Sequence, residues 1–302
     1  MLRNEAPSLF VCLTLAVVGI FAGWPAPAQD ARGNLLKAEV ADVLDGDTIK
    51  VRWTDQTHQV VRYLAVGAPE RKDAFGEDAY QKNKALVSAK TLWIELERQD
   101  KGYRRDSRGR LLGYAFLDAE GKECVNVALV REGFVRIDIR DVTSDTSTID
   151  FPVKYLDQLL PAQIAACKDR RGWWGNTDPY QGSDIAIAFV KFWGTAETAY
   201  LVNRGKDPVN LADGWTLADR DERNKIELGG AEAPNKHILA PGGTCRVHTG
   251  RYDRQALAAR DTLEINLFAK KRAVWNNVGD EARLLDKQGM SVYVYVYKGK
   301  GG

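Results

Sequence analysis

Val61-Arg62-Tyr63-Leu64-Ala65-Val66-Gly67-Ala68-Pro69-Glu70 is an apolar run carrying one arginine, halted by a Gly-Ala-Pro turn with a glutamate behind it. It predicts a strand from Gln59 to Val66 that stops where glycine and proline break the pattern. Upstream, Ala38 to Leu44 partly alternates and ends at Asp45-Gly46-Asp47, a turn signal, and Thr48 to Trp53 alternates as a half-buried strand does. Downstream, Ala74 to Ala89 has helical spacing, while Leu92 to Leu96 and Leu111 to Leu117 flank a polar loop containing Asp106 and Gly109. Val125 to Glu132 reads as a short helix ended by Gly133. Tyr155 to Lys168 reads as a longer one that Pro161 has to kink or interrupt, and Gly172-Trp173-Trp174-Gly175 closes the unit. These elements suit a small five-stranded barrel with helices packed on it.

The same segments bring together groups suited to phosphodiester chemistry. Arg62 and Arg110 offer two guanidiniums for the charge of a phosphoryl transition state. Glu70 offers a carboxylate to take a proton from water, and Asp45 and Asp47 supply two acids on one turn. Each residue taken singly has a plainer reading. Arg62 would be an exposed arginine on the polar face of its strand, and Glu70 a solvated loop acid. Arg110 would be one of a basic cluster with Arg104, Arg105 and Arg108.

Taken together, Asp45-Gly46-Asp47-Thr48-Ile49, the Arg62 to Glu70 stretch and Arg105-Asp106-Ser107-Arg108-Gly109-Arg110 resemble the staphylococcal-nuclease (thermonuclease-like) family, from about Ala38 to Gly175. The resemblance implies an OB-fold barrel. It implies Glu70 as general base, Arg62 and Arg110 as transition-state guanidiniums, and calcium held by Asp47 and by the backbone carbonyl of Ala68. Two departures stand out. The family's second metal aspartate falls at Gly67, so restoring a carboxylate there is expected to strengthen metal binding. The tyrosines that stack on nucleotide in the family's type member fall at Ile139 and Asp141.

Asn176 to Ser183 is turn-rich and polar, and reads as a linker that few contacts cross. Beyond it, Ile185 to Trp193, Ala199 to Asn203, Gly214 to Leu217, Cys245 to Thr249 and Ala282 to Leu285 read as short strands of a β-sandwich. Tyr200 to Gly205, Pro208 to Leu217 and Trp275 to Asp286 resemble the lamin-tail domain, which implies an all-β immunoglobulin-like sandwich. Trp193, Trp215 and Trp275 read as packing residues. Lys270-Lys271-Arg272 is a solvated loop or an anion contact, and Tyr293, Tyr295 and Tyr297 share a strand face that is either an edge or a binding surface. The expected organisation is a thermonuclease-like α+β domain over residues 36–175, a linker over 176–183 and a lamin-tail-like sandwich over 184–298.

The chain has 302 residues, 28% of them charged, with a formal net charge of +2. That length has room for two cores. The charge balance excludes a disordered polyelectrolyte and a polybasic coat, so phosphate binding has to come from a local patch. Arg3, the apolar run Leu9 to Phe21 and the small residues of Ala26-Pro27-Ala28 before Gln29 read as a secretory signal peptide over residues 1–28, the other reading being an uncleaved anchor. Cleavage would give a secreted or periplasmic protein with Cys124, Cys167 and Cys245. That odd number permits at most one internal disulfide, Cys124 to Cys167, or else buried thiols. His58, His237 and His248 are scattered and no CxxC occurs, which speaks against zinc.

Two functions are consistent with this reading. One is an exported calcium-dependent phosphodiesterase acting with little sequence preference on DNA or RNA that is single-stranded or flexible. The other is a catalytically degenerate protein that binds nucleic acid or the envelope. Arg62, Glu70 and Arg110 favour the first; Gly67, Ile139 and Asp141 favour the second.

Overall fold

The structure is a computed structural model that describes residues 35–99, 102–142, 152–180, 182–194, 196–231, 237–251, 265–269, 273–276 and 279–298. The expected signal peptide and the Lys270-Lys271-Arg272 run lie outside the described residues. Among the described residues no helix is long and apolar enough to cross a membrane.

The first half runs β1 (Leu36–Asp45), β2 (Thr48–Trp53), β3 (His58–Tyr63), β4 (Val66–Gly67), α1 (Gly76–Val87), β5 (Thr91–Leu96), β6 (Arg98–Gln99), β7 (Gly102–Tyr103), β8 (Leu111–Phe116), α2 (Val125–Arg131), β9 (Arg136–Ile137), α3 (Leu156–Lys168) and α4 (Trp173–Asn176). Five strands close into a barrel in the order β1-β2-β3-β8-β5. Pairing is antiparallel except between β3 and β8. Val43, Ile49, Val51, Val61 and Ile94 fill its interior, each 5% exposed or less, which is the inward half of the alternation. The strand expected to run to Val66 is broken instead. Tyr63 ends β3, Ala65 takes a left-handed φ of 63°, and β4 then leaves the barrel to pair with β9. Asn126 of α2 fastens the break, donating to the Leu64 carbonyl at 2.9 Å. Pro161 lies inside α3 without interrupting it, and forgoes the backbone bond that its missing N–H would have made.

The second half is a sandwich. One sheet has the order β10-β11-β16-β17, from Ile185–Lys191, Ala196–Asn203, Thr244–Gly250 and Ile265–Phe268. The other has the order β14-β13-β18-β19, from Lys225–Glu227, Thr216–Ala218, Gly279–Leu285 and Ser291–Lys298. A two-stranded β12-β15 ladder (Val209–Asn210 and Ile238–Leu239) completes it. Trp193 and Trp275 are buried in this core and Trp215 packs against it. The tyrosine face of β19 points inward: Tyr293, Tyr295 and Tyr297 are 1%, 4% and 8% exposed. It is packing surface, with Phe192 stacked on Tyr297 at 4.0 Å between centroids.

The two halves meet through specific bonds, contrary to the expectation that few contacts cross residues 176–183. Asp178 is buried and ion-paired with Arg204 of the sandwich at 2.8 Å, and Arg204 also donates to the carbonyls of Tyr180 and Ser183 at 2.8 and 3.1 Å. The Tyr293 hydroxyl adds a bond to Asp178 at 3.1 Å. α3 packs on β10, where the fully buried Gln163 accepts from the Ile137 N–H at 2.6 Å and donates to the Ala188 carbonyl at 2.8 Å. One side chain thus joins β9, beside the barrel mouth, to the first sandwich strand. Polar turn composition marks where a chain bends, but it does not say whether the bend is solvated. Cys124 and Cys167 form no disulfide and are buried as packing residues; burial pushes the Cys124 thiol up to about 11 and the Cys167 thiol up to about 12.

Candidate active site

The β1–β2 turn is seated by a glycine. A Cβ on Gly46 would lie 2.7 Å from the Cβ of Ala68 and 2.8 Å from that of Ala79, so only glycine lets the turn touch both the chain after β4 and α1. Asn83 of α1 donates to the Asp45 carbonyl at 2.8 Å and accepts from the Tyr63 hydroxyl at 3.1 Å, which holds the turn down. Asp47 is thereby buried. Its Oδ2 accepts the Ala68 N–H at 3.1 Å and its Oδ1 accepts the Thr48 hydroxyl at 2.8 Å.

Arg62 stands on β3 between Thr48 of β2 and Leu112 of β8 and is only 6% exposed, so it is no solvated surface arginine. Its Nη1 donates to the carbonyls of Tyr63 and Val66 at 3.1 and 3.0 Å. The bond to Val66 exists because the chain turns at Ala65. Its other nitrogens face carboxylates more loosely: Nη2 is 3.4 Å from Asp47 Oδ2, and Nε is 3.6 Å from Asp141 Oδ2. Arg110 arrives just before the neighbouring strand β8, after the Ser107–Gly109 turn. The Asp106 carboxylate accepts the N–H groups of Arg108 and Arg110 at 2.9 Å each and the Arg110 Nε at 2.6 Å, which fixes both the turn and the side chain. Arg110 Nη1 donates to the Thr48 hydroxyl at 3.3 Å. That hydroxyl donates in turn to Asp47, so one threonine joins the two arms of the site.

Glu70 is exposed on the loop leading into α1. Its carbonyl accepts the Asp73 N–H at 2.8 Å, and a Cβ on Gly76 would stand 1.9 Å from that oxygen, so the loop path requires glycine there. The charge of Glu70 is felt at the turn. Burial holds the Asp45 carboxyl above its ordinary range against the pull of the Gly46 N–H, and the charges of Asp47 and Glu70 add to the rise.

Gly67 pairs with Arg136 of β9, and a Cβ there would lie 2.8 Å from Asp138 Oδ2 and 3.1 Å from Asp138 Cβ. The space that a side chain at position 67 would enter is already held by a carboxylate from the opposite strand. Asp138 accepts the backbone N–H of Arg140 at 3.0 Å and its Nε at 2.8 Å, and also pairs with its Nη2. Gly67→Asp therefore does not simply restore a ligand; it collides. Ile139 is 6% exposed and offers no stacking face, while the Asp141 side chain, 30% exposed, occupies ground beside Arg62 where an anion would stand.

Asp47, the Ala68 carbonyl and Asp138 are hard oxygen donors of the kind calcium takes. Both carboxylates already face arginines, and among the described residues no three acids, histidines or cysteines converge. The donor set fits a weakly held cation. Thr48 and Asp106 lay within the segments quoted above, but nothing in a one-dimensional pattern gave them a role. The Gly67–Asp138 exchange had no sequence signal, because β4 and β9 meet only through the fold.

Residues 60–176 match the family described as Staphylococcal nuclease homologue, and residues 178–299 match the Lamin Tail Domain. Endonuclease YncB of Bacillus subtilis (strain 168) is 32% identical over 157 residues, covering 50% of this chain and 67% of that protein. SPbeta prophage-derived endonuclease YokF of the same organism is 34% identical over 147 residues, covering 47% of this chain and 45% of its own length. An uncharacterized endonuclease of Escherichia coli O157:H7 is 29% identical over 164 residues, covering 54% and 89%. The chain thus spans two thirds of the first of these relatives and under half of the second.

Proposed function

The chain belongs to the family of staphylococcal nuclease homologues and carries a lamin tail domain after the barrel, and we propose that the barrel hydrolyses phosphodiester bonds of DNA or RNA. The observation that carries this reading is the convergence of Arg62 and Arg110, from a strand and from a loop distant in sequence, on Asp47 and Thr48. Two preorganised guanidiniums are matched to charge that grows on phosphoryl oxygens in the transition state, and their planar forks suit bidentate contact. Phosphate enters by displacing Asp141 from Arg62. Glu70, exposed and next to the mouth, takes the proton of the attacking water. Asp47 and the Ala68 carbonyl would hold a calcium ion weakly; when bound, the ion would supply Lewis-acid polarisation of the phosphate. The groups address backbone and not base edges, which supports low sequence preference. The leader segment supports export.

The alternative, a binding protein without catalysis, is favoured by one observation: Asp141 already faces Arg62 as a carboxylate stand-in for phosphate. Degradation of single-stranded DNA and RNA with calcium, with other divalent ions and with chelator separates the two. The nuclease reading expects cleavage that Glu70→Gln and Arg62→Ala each abolish. Cleavage unaffected by either change, or binding without cleavage under every condition, replaces it with the alternative.

A further inference from the structure

A cavity of about 430 Å³ opens where the barrel mouth meets the sandwich. Gly67, Ala68 and Pro69, the chain that flanks Asp47, form one side, and Phe192 and Tyr297 of the sandwich form another. The volume falls within the roughly 300–1,000 Å³ of small-ligand sites. We propose that this cleft binds the nucleotide adjoining the scissile phosphate of a single-stranded nucleic acid, with the lamin-tail half supplying one of its walls. The inference rests on the proposed function and names where the substrate lies.

Three observations support it. The first is continuity: Ala68 lines the cleft and donates its backbone N–H to Asp47 at 3.1 Å, so the cleft and the arginine site share one segment of chain. The second is chemistry. Trp173, half-buried at the cleft, carries the Arg136 guanidinium over its ring at 4.3 Å, so the cation is backed by the ring and is itself the surface a nucleotide meets. Arg140 and Asp138 neutralise each other, and Arg136 with the exposed Lys298 outnumbers Asp73, leaving the lining net positive toward phosphate. The third is construction. Gln163 ties β9, which carries Arg136, to β10 of the sandwich, so the two walls are held in one frame. The barrel lacks a stacking platform at Ile139 and Asp141, and Trp173 of α4 is a partly exposed aromatic at the cleft instead.

The test uses the full chain in a Glu70→Gln background, which prevents turnover, and a fluorescein-labelled single-stranded oligodeoxynucleotide at fixed salt. Trp173→Leu, and separately the double change Arg136→Glu with Lys298→Glu, should each weaken binding by about tenfold or more. In the otherwise native chain, hydrolysis of bis(p-nitrophenyl) phosphate, too small to span the cleft, should be retained. Melting curves confirm that the variants keep the native assembly. Unchanged oligonucleotide affinity in both variants, with Arg62→Ala weakening it in the same assay, overturns the cleft and leaves the arginine site standing. No oligonucleotide binding by the parent chain, together with no hydrolysis of the small ester, removes the proposed function and the cleft with it.

Discussion

Two buried arginines divide this molecule by purpose. Arg204, at the seam of barrel and sandwich, meets Asp178 at 2.8 Å with both side chains fully enclosed, and its Nη2 reaches the carbonyls of Tyr180 and Ser183 while Nε stays buried without a partner. Arg62, at the barrel mouth, is bonded firmly on one side only, to the carbonyls of Tyr63 and Val66. Its two carboxylate neighbours stand at 3.4 and 3.6 Å, beyond good hydrogen-bond length. The first guanidinium is wholly enclosed, out of reach of a new anion; the second keeps its ionic side loosely held. Burial alone does not mark a functional arginine. On the proposed function, what sets Arg62 apart is ionic pairing loose enough to exchange a weak partner for a phosphate without dismantling the protein.

The comparison predicts its largest effect at the seam. Asp178→Ala leaves a buried guanidinium unpaired and should cost about 3–5 kcal/mol of stability, read by chemical denaturation. Limited proteolysis should then cut within residues 176–183, where the native chain is expected to resist. A stability loss under about 1 kcal/mol would mean that the pair does not hold the halves together. At the mouth, Arg62→Ala and Arg110→Ala should each lower the cleavage rate by about 2–4 kcal/mol of transition-state stabilisation, with a smaller loss of stability than at Asp178. Arg62→Lys should not restore the rate, since an ammonium cannot keep two carbonyl bonds and also present a fork to phosphate. A variant at Arg62 that cleaves normally but unfolds easily would reverse the assignment of the two arginines.

The same comparison shows what a sequence can carry. The barrel was legible because its strands alternate and its turns are written in Asp-Gly and Gly-Ala-Pro, and Arg62, Asp47 and Arg110 could be named because the segments that carry them together resemble the nuclease family. The break at Ala65 was not legible, since alanine gives no warning of a left-handed φ imposed by Asn126 from a distant helix. Nor was the seam. Asp178 reads as one polar residue among many in a linker, and its partners, Arg204 and Tyr293, lie 26 and 115 residues away. Sequence periodicity encodes which face is buried; it does not encode which buried polar group finds which partner.

Position 67 tests this limit directly. Gly67→Asp alone should destabilise the barrel by about 1–3 kcal/mol, because its Cβ enters space held by Asp138. It should not improve calcium binding measured by calorimetry. Gly67→Asp combined with Asp138→Gly exchanges the carboxylate between the facing strands, and should recover the stability and keep whatever calcium affinity the native chain has. Tighter calcium binding in the single variant would show that β9 yields easily and that the mouth is softer than its packing indicates. A smaller effect is expected at Asp141, whose partly exposed carboxylate competes with phosphate for Arg62: Asp141→Asn should strengthen binding of a single-stranded oligonucleotide by up to about 1 kcal/mol. Weaker binding would place Asp141 among the groups that orient Arg62.

The smallest effect sharpens the comparison through pH. The mouth concentrates acids on one turn, and the burial that raises the Asp45 carboxyl above its ordinary range means that folding there favours the protonated form. A carboxylate raised in the folded state contributes stability that is fully present below its unfolded pKa and is lost as pH rises through the folded value. At neutral pH the ionised Asp45 is thus a burden on the barrel, relieved in part by the Gly46 N–H that its Oδ1 accepts at 2.8 Å. Asp45→Asn keeps an oxygen for that bond and removes the charge. It should raise the melting temperature slightly at pH 7, with the gain vanishing below the usual aspartate range, where the native residue is protonated as well. At the seam, Asp178→Asn should do the opposite at pH 7, because there the charge is matched by Arg204 at close range. If both substitutions lowered the melting temperature equally, the two regions would not differ in how they hold their charges, and the looseness attributed to the mouth would have to be sought elsewhere.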